Sequence, residues 1–298
     1  MTTASLSAPG RLTAGSRFLG TPRGRARLWR LYLPLAAALV FTLFPFYWMF
    51  IASIKPNREL YDLHAVQFWV SQPTLEHYAY LFQQTEFLRW LANTLIIAVS
   101  STAISLVCGV LAGYALARLR FGGATFLGVA IFVTYLVPQT LLFLPLVRVV
   151  RQLGLSNTLW SMILTYPTIL IPFCTWLLMG YFKTIPRELE QSALIDGANR
   201  IQAMLRVVLP LALPGILSAG IFAFTLSWNE FIYALVFTTS SAIKTLPVGV
   251  VTELVKGDVF FWGSLMAGAL LGSVPVAVVY SFFVEQYVAG LTAGAVKG

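Results

Sequence analysis

Long apolar stretches, separated by short charged ones, set the layout of the chain. Between consecutive charged residues the uncharged intervals run over 31–54 (24 residues), 90–117 (28), 121–147 (27), 152–182 (31), 207–229 (23) and 259–284 (26). Each exceeds the ~20 apolar residues that carry an α-helix across a bilayer. The pattern predicts an all-α integral membrane protein with six transmembrane helices, at approximately 31–54, 91–117, 124–147, 158–181, 210–237 and 262–285. An even count puts both termini on one side. The first run outlasts the ~7–15-residue apolar core of a cleaved signal peptide and is expected to stay as a span.

The polar stretches predict the rest. Residues 1–27 are rich in Gly, Ser, Thr, Pro and Arg and are expected to form a disordered basic tail. The segment 55–89 carries Glu59, Asp62, Glu76 and Glu86 and is expected to fold as a short lid outside the membrane. The segment 183–206 reads as a helical hairpin. Pro186 suits a first helical turn and Gly197 a stop, which delimits a helix of about ten residues. A second helix begins near Asn199, and its Ile201, Met204, Leu205 and Val208 follow the i, i+3, i+4, i+7 pattern of one apolar face. Pro210 and Pro214 are expected to mark the turn into the fifth span.

Composition sharpens this picture. Of 298 residues, 58% are hydrophobic and only 10% charged, against the roughly 25% charged of a soluble domain. A soluble enzyme is therefore excluded. The net charge of +9 comes from sparse basic residues between apolar stretches, which act on topology and leave no nucleic-acid surface. Arg11, Arg17, Arg23, Arg25, Arg27 and Arg30 precede the first span, which predicts cytoplasmic N- and C-termini. With that start, the cytoplasmic segments hold 13 basic residues, Lys297 among them, and the external ones 7. Arg148 and Arg151 fit least well, on a short loop that the parity places outside.

Several chemistries are missing from the sequence. No lysine follows a glycine, so a Walker-type phosphate loop cannot be built and the chain itself is not expected to hydrolyse ATP. G-x-S-x-G and H-E-x-x-H do not occur. His64 and His77 lie in the external segment without a third nitrogen or sulfur ligand nearby, and no metal or catalytic residue is expected. Cys108 and Cys174 sit in apolar runs, where thiols behave as small hydrophobes.

The segment 185–198, IPRELEQSALIDGA, adds a specific signal. Through Leu189, Glu190, Ala193, Ile195, Asp196, Gly197 and Ala198, with Leu209 and Pro210 downstream, it resembles the Glu-Ala-Ala loop of binding-protein-dependent ABC importer permeases. Gln191 stands where that loop has a Glu, and Ser192 replaces its first Ala. The likeness extends along the chain. Pro45, Trp48, Ser53, Ile54, Lys55, Pro56 and Glu59, then Asn93 and Thr94, then Tyr114, Ala115, Leu116, Ala117, Arg118, Phe121 and Gly122, are similar to the carbohydrate permeases of the maltose type. Pro138, Pro145, Gly154, Leu155, Thr158 and the closing run 290–298 also fit.

This resemblance implies a permease domain over 28–298 in a bacterial inner membrane, with a coupling helix between the fourth and fifth spans. The cytoplasmic loop 184–208 would dock on an ATPase through Glu188, Glu190, Gln191, Ser192, Ala193, Asp196, Gly197 and Ala198. The implied partners are a second homologous permease subunit, an ATPase dimer that binds the ATP and Mg, an extracytoplasmic sugar-binding protein and membrane lipid. No cofactor is expected in this chain. Transport would follow alternating access, driven by closure of the ATPases.

Glu230, after Trp228 and Asn229, is expected within the fifth helix, where an ionisable side chain is costly enough to mark a function. In the resembling family a Trp-Asn-acid run lies near the translocation path, which makes Trp228, Asn229 and Glu230 its candidates here. Gly109 with Gly113, and Gly268 with Gly272, have the spacing that lets helices approach closely in lipid. One rival is an ion-gradient-driven secondary transporter, which would bury several ionisable residues at the midplane. Glu230 is the one charge well inside the apolar spans. The other rival, a non-transporting scaffold, has no use for the loop.

Overall fold

The computed structural model describes residues 28–292 apart from 63 and 65. The tail 1–27, with five of its arginines, and the end 293–298, with Lys297, lie outside the described residues. After a π-helical turn, Leu28–Tyr32, the chain forms α1 (Leu33–Ile54), α2 (Asn57–Leu60), α3 (Glu76–Gln84) and α4 (Phe87–Arg118). Then come α5 (Ala124–Tyr135), α6 (Gln139–Gln152), α7 (Leu159–Thr165), α8 (Pro167–Thr184), α9 (Arg187–Ile195) and α10 (Arg200–Ala203). A π-helical turn, Met204–Val208, leads into α11 (Leu209–Trp228), followed by α12 (Ile232–Phe237), α13 (Leu246–Leu254), a hairpin of β1 (Val255–Lys256) and β2 (Val259–Phe260), and α14 (Trp262–Thr292). Helices dominate because lipid offers backbone groups no partner, so each span must close its own hydrogen bonds.

The bundle is built on α4 and α8, which lie against one another over much of their length. Glycine makes the approach possible. A Cβ on Gly109 would stand 2.6 Å from Cys174 Cβ, and one on Gly113 would stand 3.0 Å from the backbone nitrogen of Met179. Close backbones supply the dispersion contacts that hold helices together where no hydrophobic effect acts between them. Gly268 and Gly272 serve a different neighbour, since they admit Val250 and Leu246 of α13. The helix α11 packs on α4, α8 and α14, and α14 carries α1 on its other side. Most of α1 remains exposed and apolar, with Phe41 82% accessible, a surface suited to lipid or to another subunit.

The segment 55–89 is knotted to this frame by its polar groups. Lys55 is buried, and its ammonium donates to the carbonyls of Val66 (2.6 Å) and Gln67 (3.1 Å). Its own carbonyl pairs with His77 Nε2 at 2.8 Å. The His77 ring in turn fills the space where Gly263 lacks a side chain. At the same end of the bundle, Asn93 Nδ2 donates to the carbonyls of Ala242 (2.9 Å) and Lys244 (3.0 Å), and Thr94 Oγ1 accepts the Leu246 N–H at 2.7 Å. These contacts tie the connection after α12 to α4.

Among the described residues five helices are long and apolar enough to cross a membrane, and a bent pair, α5 with α6, makes six if it counts as one span. That pair corrects the expected span 124–147. The chain breaks between α5 and α6 with a bend of 94°. Pro138 explains the break, because it lacks an N–H and pushes the preceding residue out of the helical region. Arg148 and Arg151, expected on a loop, occupy the last turns of α6. The expected turn at Pro210 and Pro214 is also corrected, since the helix runs without interruption from Arg200 to Trp228. The wide π-helical turn just before Pro210 loosens the ladder where proline would clash, and Pro214 is carried inside α11. The expected span 210–237 instead ends at Trp228, and α12 follows as a separate helix.

Candidate functional site

Two sites at opposite ends of the continuous helix Arg200–Trp228 hold the sequence candidates. At its start, Asn199 caps α10 and exchanges a capping box with Gln202, each side chain bonding the other's backbone N–H (2.9 and 3.0 Å). Preceding it, α9 ends in a Schellman motif. Gly197 lies at φ +92°, its N–H donates to the Leu194 carbonyl (3.2 Å), and the Ala198 N–H reaches the Ala193 carbonyl (3.0 Å). A left-handed residue is needed there, which accounts for the glycine.

The faces of α9 have different jobs. Glu190 is 6% exposed and turned inward, where it accepts the Tyr114 hydroxyl proton at 2.6 Å and meets Arg118 Nε at 3.6 Å. Arg118 also donates to the Ile185 carbonyl (2.7 Å), and Arg187 donates to the Ala117 carbonyl (3.1 Å). Tyr114, Ala117 and Arg118 therefore form a seat on α4 for the base of α9. Glu190, expected among the docking residues, thus has its carboxylate engaged inside the chain. Outward lie Glu188, Gln191, Ser192, Asp196 and Gly197, all exposed, with Ala193 and Ala198 half-buried. Among them stand two apolar side chains open to solvent, Leu189 and Ile195, the latter 86% exposed.

At the far end, α11 stops at Trp228, whose indole N–H donates to the Gly272 carbonyl of α14 (3.2 Å). Asn229 Nδ2 folds back to the Thr225 carbonyl (2.9 Å), and the residue is otherwise exposed. Glu230 was expected within the helix, and this is corrected. It sits in the break, where Oε1 accepts the Tyr233 N–H (2.8 Å) and Oε2 the Ala234 N–H (3.1 Å). Those are first-turn donors of α12 that no intrahelical carbonyl can reach. The carboxylate is buried, no cation pairs with it among the described residues, and the Tyr166 hydroxyl faces it without closing a well-formed hydrogen bond.

A cavity of 350 Å³ opens beside it, lined by Gln139, Tyr166, Thr225, Ser227, Asn229 and Glu230 among others. Gln139 begins α6 directly after the bend, so both broken spans present their breaks to one cavity. Irregular backbone at such depth is tolerated where it lines a cavity or is covered by protein. Asn229 and Phe231 also border a second, open cavity of 690 Å³, which is largely apolar and lined by α13 and α14 with Phe46 of α1. Sequence reasoning missed the seat residues Tyr114, Arg118 and Arg187 and the cavity residues Gln139 and Tyr166. Among the described residues, no group of three or more His, Cys, Asp or Glu side chains could hold a metal ion.

Comparison with known proteins agrees with this architecture. Residues 105–292 match the family model described as binding-protein-dependent transport system inner membrane component. The chain is 36% identical over 269 residues to the inner membrane ABC transporter permease protein YcjP of Escherichia coli, covering 90% of this chain and 95% of that one. It is 38% identical over 268 residues to the sulfoquinovosyl glycerol transport system permease protein SmoH of Agrobacterium fabrum (90% and 93% covered). To the trehalose/maltose transport system permease protein MalG of Thermococcus litoralis it is 33% identical over 274 residues (90% and 97%). Among solved structures, a bacterial ABC transporter that imports the acidic polysaccharide alginate contains a chain with the same fold. The TM-score is 0.73 at 21% identity, with 90% of this chain and 98% of that chain covered.

Proposed function

The chain belongs to the binding-protein-dependent transport system inner membrane components, and from that premise we propose that it is the permease subunit of an ATP-driven ABC importer for a carbohydrate or related polyol or glycoside. It supplies half of the translocation path, beside a second, homologous permease. An ATPase dimer on the cytoplasmic side binds ATP and Mg, and a binding protein delivers the sugar from outside. The relatives named for trehalose and maltose and for sulfoquinovosyl glycerol support the substrate class.

One observation carries the coupling role. The helix α9 is braced from behind by a buried ion pair, while its front face leaves Leu189 and Ile195 bare between acids and small residues. A braced helix with an open apolar face transmits force from a partner instead of yielding to it. In the importer, Glu188, Gln191, Ser192, Ala193, Asp196, Gly197 and Ala198 meet the ATPase, and Glu190 holds their platform. ATP-driven closure of the ATPases moves α9 with them. Because α9 leads through Asn199 into the single rod 200–228, its motion reaches Asn229 and Glu230 at the cavity, and the path turns outward. Contacts that differ between the two ATPase states are what make such coupling possible.

Gly197→Asp tests this reading. At φ +92° a side chain is strained by about 1–2 kcal/mol, and the added charge stands on the docking face. The variant is expected to insert normally and to lose ATPase on co-purification. Normal co-purification with normal uptake would remove this loop as the docking element.

A further inference from the structure

A pocket of 330 Å³ lies behind α9, between it, the end of α4 and the start of α10, and is lined by Arg118, Arg120, Arg187, Arg200, Glu190 and Gln191. Its charge does not balance. Four arginines line it with one glutamate, and that carboxylate is already shared between Tyr114 and Arg118, while Arg118 and Arg187 also donate to the Ile185 and Ala117 carbonyls. Arg120 and Arg200 are exposed, and their side chains make no hydrogen bond or ion pair among the described residues. Arg118 Nε, although buried, lacks a hydrogen-bond partner and has only Glu190 Oε2 near it, at 3.6 Å.

Guanidinium forks match the oxygens of phosphate, in pairs and with charge assistance. The volume sits at the small end of the ~300–1,000 Å³ typical of ligand sites, which suits one phosphate group. A neutral sugar would have no use for the surplus charge. The pocket also lies where the spanning helix α4 ends, the depth at which basic pockets between helices receive anionic head groups.

We propose that this pocket binds a phosphate-class anion, supplied either by the head group of an anionic phospholipid or by free phosphate. The anion bridges Arg120, just past the end of α4, to Arg200 at the root of the α10–α11 rod, and so holds the hairpin closed beside the Glu190 seat. This is separate from the importer reading because it rests on Arg120 and Arg200, neither of which is among the docking residues, although Gln191 borders both.

The test uses the full-length chain in bilayer discs of phosphatidylcholine, with and without phosphatidylglycerol, and with inorganic phosphate titrated against chloride at equal ionic strength. Thermal stability and retained phospholipid are read for the wild type and for Arg120→Gln/Arg200→Gln, which removes the two unpaired cations and leaves the Glu190 seat intact. Saturable stabilisation by phosphatidylglycerol alone, weakened about tenfold or more in the variant as expected for losing a charge-assisted pair, assigns a lipid. Saturable stabilisation by phosphate in pure phosphatidylcholine assigns a free anion. If neither probe acts beyond the chloride effect, or both act equally on the variant, the proposal is overturned. Should the variant not fold, the wild-type titration decides alone, and lack of saturation overturns the proposal.

Discussion

Among the described residues two carboxylates are buried, one near each end of the rod 200–228, and they are satisfied in different ways. Glu190 meets a phenol and a guanidinium from α4, the phenol 76 residues away along the chain. Glu230 takes peptide N–H groups three and four residues ahead of it and has no cation among the described residues. The first is a joint between elements and the second is a local cap. A joint fails by coming apart, whereas a cap can be loosened and re-made. That difference fits a rigid platform at one end and a movable border of a cavity at the other.

The largest expected effect lies at the joint. Glu190→Ala leaves Arg118 buried without its carboxylate, and breaking such a pair costs about 3–5 kcal/mol in a dry interior, less where water reaches the pocket. The hairpin around 185–200 should become open to protease and the melting temperature should fall. Adding Arg118→Gln to Glu190→Gln should recover part of the loss. If Glu190→Ala is as stable as wild type, the seat is not a joint.

A smaller loss of stability is expected at the cap, with a larger one in transport. Glu230→Ala removes the acceptor for the Tyr233 and Ala234 N–H groups, and losing an N-terminal cap costs about 0.5–2 kcal/mol. Uptake per assembled complex should fall strongly, Glu230→Asp should be milder, and Glu230→Gln should separate charge from hydrogen bonding. Near-wild-type uptake in all three would make Glu230 a cap and nothing more.

The smallest effect sharpens the contrast with an ion pair in the connection between α12 and α14. Lys244 donates to Glu253 at 2.6 Å and holds that carboxyl below its ordinary range. A lowered folded value means that the contribution is present above the ordinary carboxylate pKa of ~4.3 and is lost as pH falls through the folded value. The melting-temperature gap between wild type and Glu253→Gln should narrow on acidification below that range. A gap independent of pH would show that the pair contributes through shape alone.

How much of this was legible in the sequence follows from what charge and spacing can see. The bounds of α9 were readable from Pro186 and Gly197, because those residues act locally. Its seat was not, since no local rule links Glu190 to residues on α4. Tyr114 and Arg118 did appear within a stretch resembling the family, but nothing in their spacing assigned them to α9. The two breaks escaped for another reason. Leu136, Val137 and Pro138 carry no charge, so counting uncharged intervals passed over them, and Pro138 looked no different from Pro145, which α6 carries inside; the interval 207–229 did stop at Glu230, but the expected span was drawn across it to 237. Glu230 was singled out as costly, and its carboxylate meets backbone donors that exist only once the helix has broken.

The central claim is that α9 couples this chain to an ATPase and that the chain does not drive transport alone. Reconstitution tests it most directly. Vesicles holding this chain with its partner permease, ATPase and binding protein should take up sugar only with ATP, and vesicles holding this chain alone should take up none under a proton or sodium gradient. Gradient-driven uptake by the purified single chain would contradict the account.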